Sequence, residues 1–191
     1  GGILFCDILV VAHARGMDLT FAGGGGPRLA PRMAESRIHD LQPAMERLLP
    51  VYETVRRVKT ELSPQTTFLG FAGSPWTVAT YMIAGQASRD QSESRQLAYS
   101  DPGKMDAILD IVSRITVDYL SGQIEAGVDA VQLFDSWAGS LSPGQFEQMV
   151  IARTAWIVGE LKRRHPQTPI IGFPKGAAGK QRAYAAVTSV N

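Results

Sequence analysis

The stretch Val128 to Phe134 constrains the fold most: a largely apolar run, entered through Gly127 and left through Asp135-Ser136-Trp137-Ala138-Gly139. A run this short, bounded by glycine and a polar cluster, reads as a buried strand. An amphipathic segment from Met105 to Ala126 precedes it. Helix, glycine, strand and polar cluster in that order is how α/β enzymes deliver side chains to the carboxyl ends of parallel strands. Two similar edges lie upstream. One is Gly70-Phe71-Ala72-Gly73-Ser74-Pro75-Trp76, followed by Ala79-Thr80-Tyr81-Met82; the other holds the acid in Leu4-Phe5-Cys6-Asp7-Ile8-Leu9-Val10.

The remaining pattern repeats this alternation. Val51, Val55, Val58 and Leu62 share one face of a helix over 50–62. Ser74 with Pro75 opens a helix through Ala84, and Asp101 with Pro102 opens another that Gly127 closes. Ser142, Pro143 and Gln145 start a third long helix that stops near His165-Pro166. Gln86 to Gln96 reads as a polar surface excursion, and Gly23 to Gly26 with Pro27 as a flexible loop. The strand candidates are 3–6, 67–71, 128–134 and 169–173. Strands separated by single helices pair in parallel with right-handed crossovers, which leaves a doubly wound sheet or a barrel. A complete eight-unit barrel takes ~250 residues, so four strand candidates in 191 residues amount to part of one.

Hydrophobic content of 45% is enough for a core. A net charge of +1, with bases spread among acids, gives no electrostatic case for nucleic acid. One cysteine cannot form an intrachain disulfide, and Cys6 with the scattered His13, His39 and His165 does not make a metal site. No apolar stretch reaches the ~20 residues needed to span a bilayer, and a cytoplasmic location is the expectation. The start has no methionine and opens almost inside a strand, from which a missing preceding segment is expected.

Asp7 is the sharpest chemical candidate. A carboxylate among Leu4, Phe5, Ile8 and Leu9 is costly to bury unless a ligand or partner offsets it; the alternatives are a helix N-cap or a partner of an internal arginine. Tyr81 offers a hydroxyl to a ligand, or is a core aromatic. Ser136 at a strand end suits a carboxylate or carbonyl, or begins the next turn. Asp135 and Trp137 are read as bracing that corner, and Cys6 as a small packing residue. Gly176-Ala177-Ala178-Gly179-Lys180-Gln181 lacks the Ser or Thr that a phosphate loop needs after its lysine. The glycines at 23–26 lack the strand and helix of a dinucleotide site. No G-x-S-x-G elbow surrounds Ser74 or Ser136.

Taken together, Ile3 to Val11, Gly70 to Thr77, Ala79 to Ile83 with Gly85, Gln132 to Gly139, and Phe173 to Gly176 resemble, in order, segments of the uroporphyrinogen decarboxylase family. The resemblance covers 3 to about 180 and is looser after Gly179. It implies an α/β fold, a (β/α)8 TIM barrel present here as roughly half. It also implies a homodimer and a cofactor-free decarboxylase acting on the acetate side chains of uroporphyrinogen III to give coproporphyrinogen III. By matching position Asp7 is similar to the family's central aspartate, Tyr81 and Ser136 to substrate-binding residues, and Phe71 and Gly73 to part of the cleft wall. Cys6 stands where serine is usual, and Gly24 or Gly25 where an acid is common. The family's arginine-bearing segment lies upstream of these matches and its late histidine downstream; neither is in this chain. The expectation is therefore a central fragment of one barrel domain over 1–191, such as a truncated gene would encode.

Loss of CO2 from a pyrrole acetate needs an electron sink, which protonation of the electron-rich ring carbon supplies. A carboxylate in an apolar pocket would stabilise the resulting cation, the role that fits Asp7. The alternatives are a cobalamin-linked zinc methyltransferase of the same barrel superfamily and a non-catalytic tetrapyrrole-binding remnant. Asp7, Tyr81 and Ser136 are expected to converge on one cleft at the carboxyl ends of parallel strands.

Overall fold

A computed structural model describes residues 1–4, 6–22 and 26–190 of the chain. In order, its strands and α-helices are β1 (Gly2–Ile3), α1 (Val10–Ala14), β2 (Asp18–Ala22), β3 (Gly26–Ala30), α2 (Leu49–Glu61), β4 (Phe68–Gly73), α3 (Pro75–Ala84), α4 (Ser92–Ser100), α5 (Pro102–Ala126), β5 (Ala130–Asp135), α6 (Pro143–Phe146), α7 (Ala152–Arg164), β6 (Ile170–Pro174) and α8 (Gln181–Thr188). The four parallel strands run β1-β4-β5-β6. The expected strands at 67–71, 128–134 and 169–173 are present within two residues, and of the one expected at 3–6 the described β1 holds Gly2–Ile3.

Alternation decides the two faces. Phe68, Ala72, Val131, Leu133 and Ile170 join the core under the helices. On the other face Phe71 meets Phe134 edge-on at 5.4 Å between ring centroids, and Phe134 meets Phe173 at 5.7 Å. α5 lies across the helix side against β4, β5 and helices α1 to α4 and α7. Its ends follow the capping logic: Asp101 Oδ1 accepts from Lys104 N at 3.0 Å, and Gly127 takes φ +119°.

β1 pairs with β4 through Gly2 and Ile3. Gly2 N donates to Thr67 O and Leu4 N to Leu69 O. Further along β4 a side chain from α5 holds the backbone: Phe71 N donates to Gln123 Oε1 and Gln123 Nε2 donates to Phe71 O, each at 3.0 Å. A Cβ at Gly70 would stand 2.5 Å from that Oε1.

Three sequence expectations change. The polar segment 86–96 is partly helical, because α4 starts at Ser92. Gln91, in the left-handed region at φ 52°, donates through its side chain to Ser88 O at 2.7 Å, and the helix buries only the small Ser94 and Ala98. No apolar stripe announces such a helix. The β2–β3 hairpin was not read either: Asp18 to Phe21 alternates polar with apolar over only four residues, and Phe21 is exposed. Gly23, Gly24 and Gly25 of the expected loop, and Phe5, lie outside the described residues, whereas Gly26 belongs to β3. Third, the long helix from Pro143 is interrupted by a π-turn over Glu147–Ile151.

The loops after β5 and β6 touch backbone to backbone. Gly139 N donates to Lys175 O at 3.0 Å, and a Cβ at Gly139 would stand 2.8 Å from Gly176 O. In the full-length protein, Gly139→Ala is expected to cost roughly 1–3 kcal/mol through overpacking. Gly144→Ala, where a Cβ meets nothing within 4 Å, is expected to be neutral or better. Urea midpoints of the two variants check the contrast, and equal midpoints would refute the close-contact account.

Candidate active site

Three chain segments meet at the carboxyl ends of β1, β4 and β5. A cavity of about 320 Å³ there is lined by Cys6, Asp7, Ile8, Phe71, Tyr81, Phe134 and Ser136, among others. Asp7, Tyr81 and Ser136 thus occupy one wall system. Of the two cleft-wall candidates, Phe71 lines the cavity and Gly73 lies behind it, where a Cβ would stand 3.0 Å from Ile8 Cβ and 2.8 Å from Val78 Cγ2. Glycine at 73 admits the segment that carries Asp7.

Asp7 lies between β1 and α1. Its Oδ1 accepts from Leu9 N at 2.8 Å, a local turn bond that orients the carboxylate ahead of α1. Among the described residues it has no ion-pair partner, so the internal-arginine alternative is not realised. The buried Arg15 instead donates to Ile38 O at 2.6 Å. Cys6 does more than pack: its Sγ hydrogen-bonds Tyr119 Oη at 2.9 Å, and burial pushes the thiol pKa up. Sequence reasoning missed Tyr119, since an aromatic on a helix's apolar face carries no signal of a long-range partner.

Tyr81 lies on the last turns of α3, half-buried. Burial pushes its phenol pKa up; the Trp137 indole opposes this and the Asp7 charge adds to it. Ser136 sits in the turn just beyond β5. The walls are therefore aromatic and apolar, and Asp7 is the charged group among the lining residues.

Asp135 points the other way. It is 1% exposed, with Oδ1 accepting from Thr77 Oγ1 at 2.6 Å. Burial pushes its carboxyl up to about 7 against the pull of the Thr77 and Trp137 hydrogen bonds. The bracing role read from the sequence fits this placement. A larger cavity of about 470 Å³ lies beside the hairpin, where Arg32 pairs with Glu93 and with Glu35, the latter at 3.0 Å.

Comparison with known proteins decides the family. The family described as Uroporphyrinogen decarboxylase (URO-D) matches residues 1–191. The chain belongs to the uroporphyrinogen decarboxylase family. Uroporphyrinogen decarboxylases of Sphingopyxis alaskensis and Rhizorhabdus wittichii are 62% and 61% identical to it, each over 100% of this chain and 56% of the relative. The chain thus spans about half the length of these curated relatives. A solved methyltransferase from Methanosarcina mazei superposes with TM-score 0.74 over 99% of this chain and 55% of its own, at 14% identity. That likeness concerns the fold alone. The parallel sheet and its helices are an incomplete portion of the (β/α)8 barrel of the uroporphyrinogen decarboxylase family.

The raised Asp135 carboxyl has a thermodynamic consequence. The unfolded chain releases this proton near 3.8 and the folded one near 7, so stability from this group is complete below the lower value and declines as pH rises to the higher. In the full-length protein, Asp135→Asn is expected to gain in Tm over wild type between those two pH values, with the difference constant above about pH 7. Thermal melts across that range test it, and parallel Tm curves would rule it out.

Proposed function

We propose that the full-length protein carrying this chain removes CO2 from the four acetate side chains of uroporphyrinogen III, giving coproporphyrinogen III for heme and other tetrapyrroles. The carrying observation is the convergence of Asp7, Tyr81 and Ser136 on one apolar-walled cavity. Its volume lies at the small end of ligand sites, which suits a single pyrrole quadrant with its side chains. The membership of the family supports the same reading.

In this account a proton adds to the pyrrole carbon next to the one bearing the acetate arm, and the ring becomes a cation whose charge is shared by the arm-bearing carbon. Asp7 accepts hydrogen bonds from the pyrrole N–H groups and stabilises that charge, an interaction much stronger among Phe71, Phe134 and Ile8 than in water. The C–CO2 bond then breaks, its electrons form an exocyclic double bond to the arm-bearing carbon and neutralise the ring, and the exocyclic carbon takes a proton as the adjacent ring carbon gives up the one it gained. One proton is consumed for each CO2 released. Tyr81 stands beside the reacting ring, and Ser136 orients a substrate carboxylate or carbonyl. Phe71 forms the wall and Gly73 the close contact behind it.

The domain is read as 1–191 of a single barrel, working in the cytoplasm as a homodimer, with cationic groups outside this chain holding most substrate carboxylates. Among the described residues, no helix is long and apolar enough to cross a membrane.

In the full-length enzyme, Asp7→Asn is expected to reduce kcat by at least about a hundredfold with much smaller change in KM, since the charge acts chiefly in the transition state. Tyr81→Phe is expected to be milder. Steady-state decarboxylation of uroporphyrinogen checks the order; near-normal turnover by Asp7→Asn would remove the electrostatic role. The 191-residue chain alone is expected to form oligomers on sizing and to release no coproporphyrinogen, because edge strands and an uncovered sheet face invite association. A monodisperse, active monomer would overturn that expectation.

A further inference from the structure

Ser136 lines the cavity, yet among the described residues its hydroxyl has no hydrogen-bond partner that would fix it. Its neighbours are fixed instead, and from one place. Ser74 N donates to Phe134 O at 2.8 Å. Thr77 Oγ1 donates to Asp135 Oδ1 at 2.6 Å and accepts from Trp137 N at 3.2 Å. Trp76 Nε1 donates to Trp137 O at 3.2 Å. Residues on both sides of Ser136 are thus tied to the start of α3, the helix that four residues after Thr77 presents Tyr81 to the same cavity.

We propose that the first turn of α3 is the positioning element that sets Ser136 against Tyr81, with Thr77 as the positioning residue that clamps both flanks of Ser136. The inference rests on the proposed decarboxylation. Thr77 and Trp76 are both fully buried, and the Thr77–Asp135 bond is buried at both ends. A threonine hydroxyl has one hydrogen and free lone pairs, and here the hydrogen goes to one side of Ser136 and a lone pair to the other. The β-branched side chain has few rotamers in a helix, which holds the hydroxyl in place. The arrangement couples two substrate-facing groups from different strand–helix units through one rigid helix end.

The experiment is a double-mutant cycle in the full-length enzyme with uroporphyrinogen as substrate. Thr77→Val keeps the shape and deletes both bonds; it is expected to lower kcat/KM about tenfold, the scale on which misplacement of a binding group acts. Thr77→Ser, which keeps the hydroxyl, is expected to restore most of the loss. In a Ser136→Ala background Thr77→Val is expected to have little further effect, because its action passes through Ser136. Independent, additive losses in the two backgrounds would overturn the proposal, as would Thr77→Val with wild-type kcat/KM. If Thr77→Val does not fold, Trp76→Phe, which deletes the donor to Trp137 O, enters the same cycle with the same two readings. Wild-type enzyme without decarboxylase activity would instead refute the proposed function, so the two failures are distinct.

Discussion

The parallel register between β4 and β5 is the constraint on which the site depends. It pairs Phe71 with Gln132 and Gly73 with Phe134, and so puts the even members of β5 on the cavity face and the odd members under the helices. A slip of one residue would exchange the faces, placing Phe134 under the helices and the carboxylate of Asp135 in the cavity. The register is defended from both sides of the sheet. Val131 and Leu133 are buried in the core, and Phe134 is held between Phe71 and Phe173.

Two carboxylates near the strand ends consequently have opposite environments. Asp135 is enclosed, held by Thr77, and favours its neutral form. Asp7 keeps partial access to the cavity, with a single backbone N–H holding Oδ1. Burial without a cation suits a structural tie, whereas access suits interaction with a ligand. The helix α3 stands between the two, touching the Asp135 corner with its first turn and presenting Tyr81 further along.

Much of this was legible in the chain. Apolar runs ended by polar clusters located the four strands, and proline with a preceding Ser or Asp located the helix starts. Asp7 drew attention because a charge among Leu4, Ile8 and Leu9 requires a reason. The hidden parts share a cause: their stability does not come from a periodic apolar face. α4 buries Ser94 and Ala98, and the β2–β3 hairpin exposes Phe21. The ties from Gln123 to Phe71 and from Cys6 to Tyr119 span 52 and 113 positions in sequence, which local pattern cannot register. Gly73 and Gly139 were visible as parts of motifs, but the atoms they make room for were not.

The Gln123 tie joins a cavity-wall residue directly to a helix. Both ends of one side-chain amide on α5 are spent on the backbone of Phe71, which lines the cavity. A displacement of α5 is therefore carried to that wall through a pair of hydrogen bonds as well as through packing.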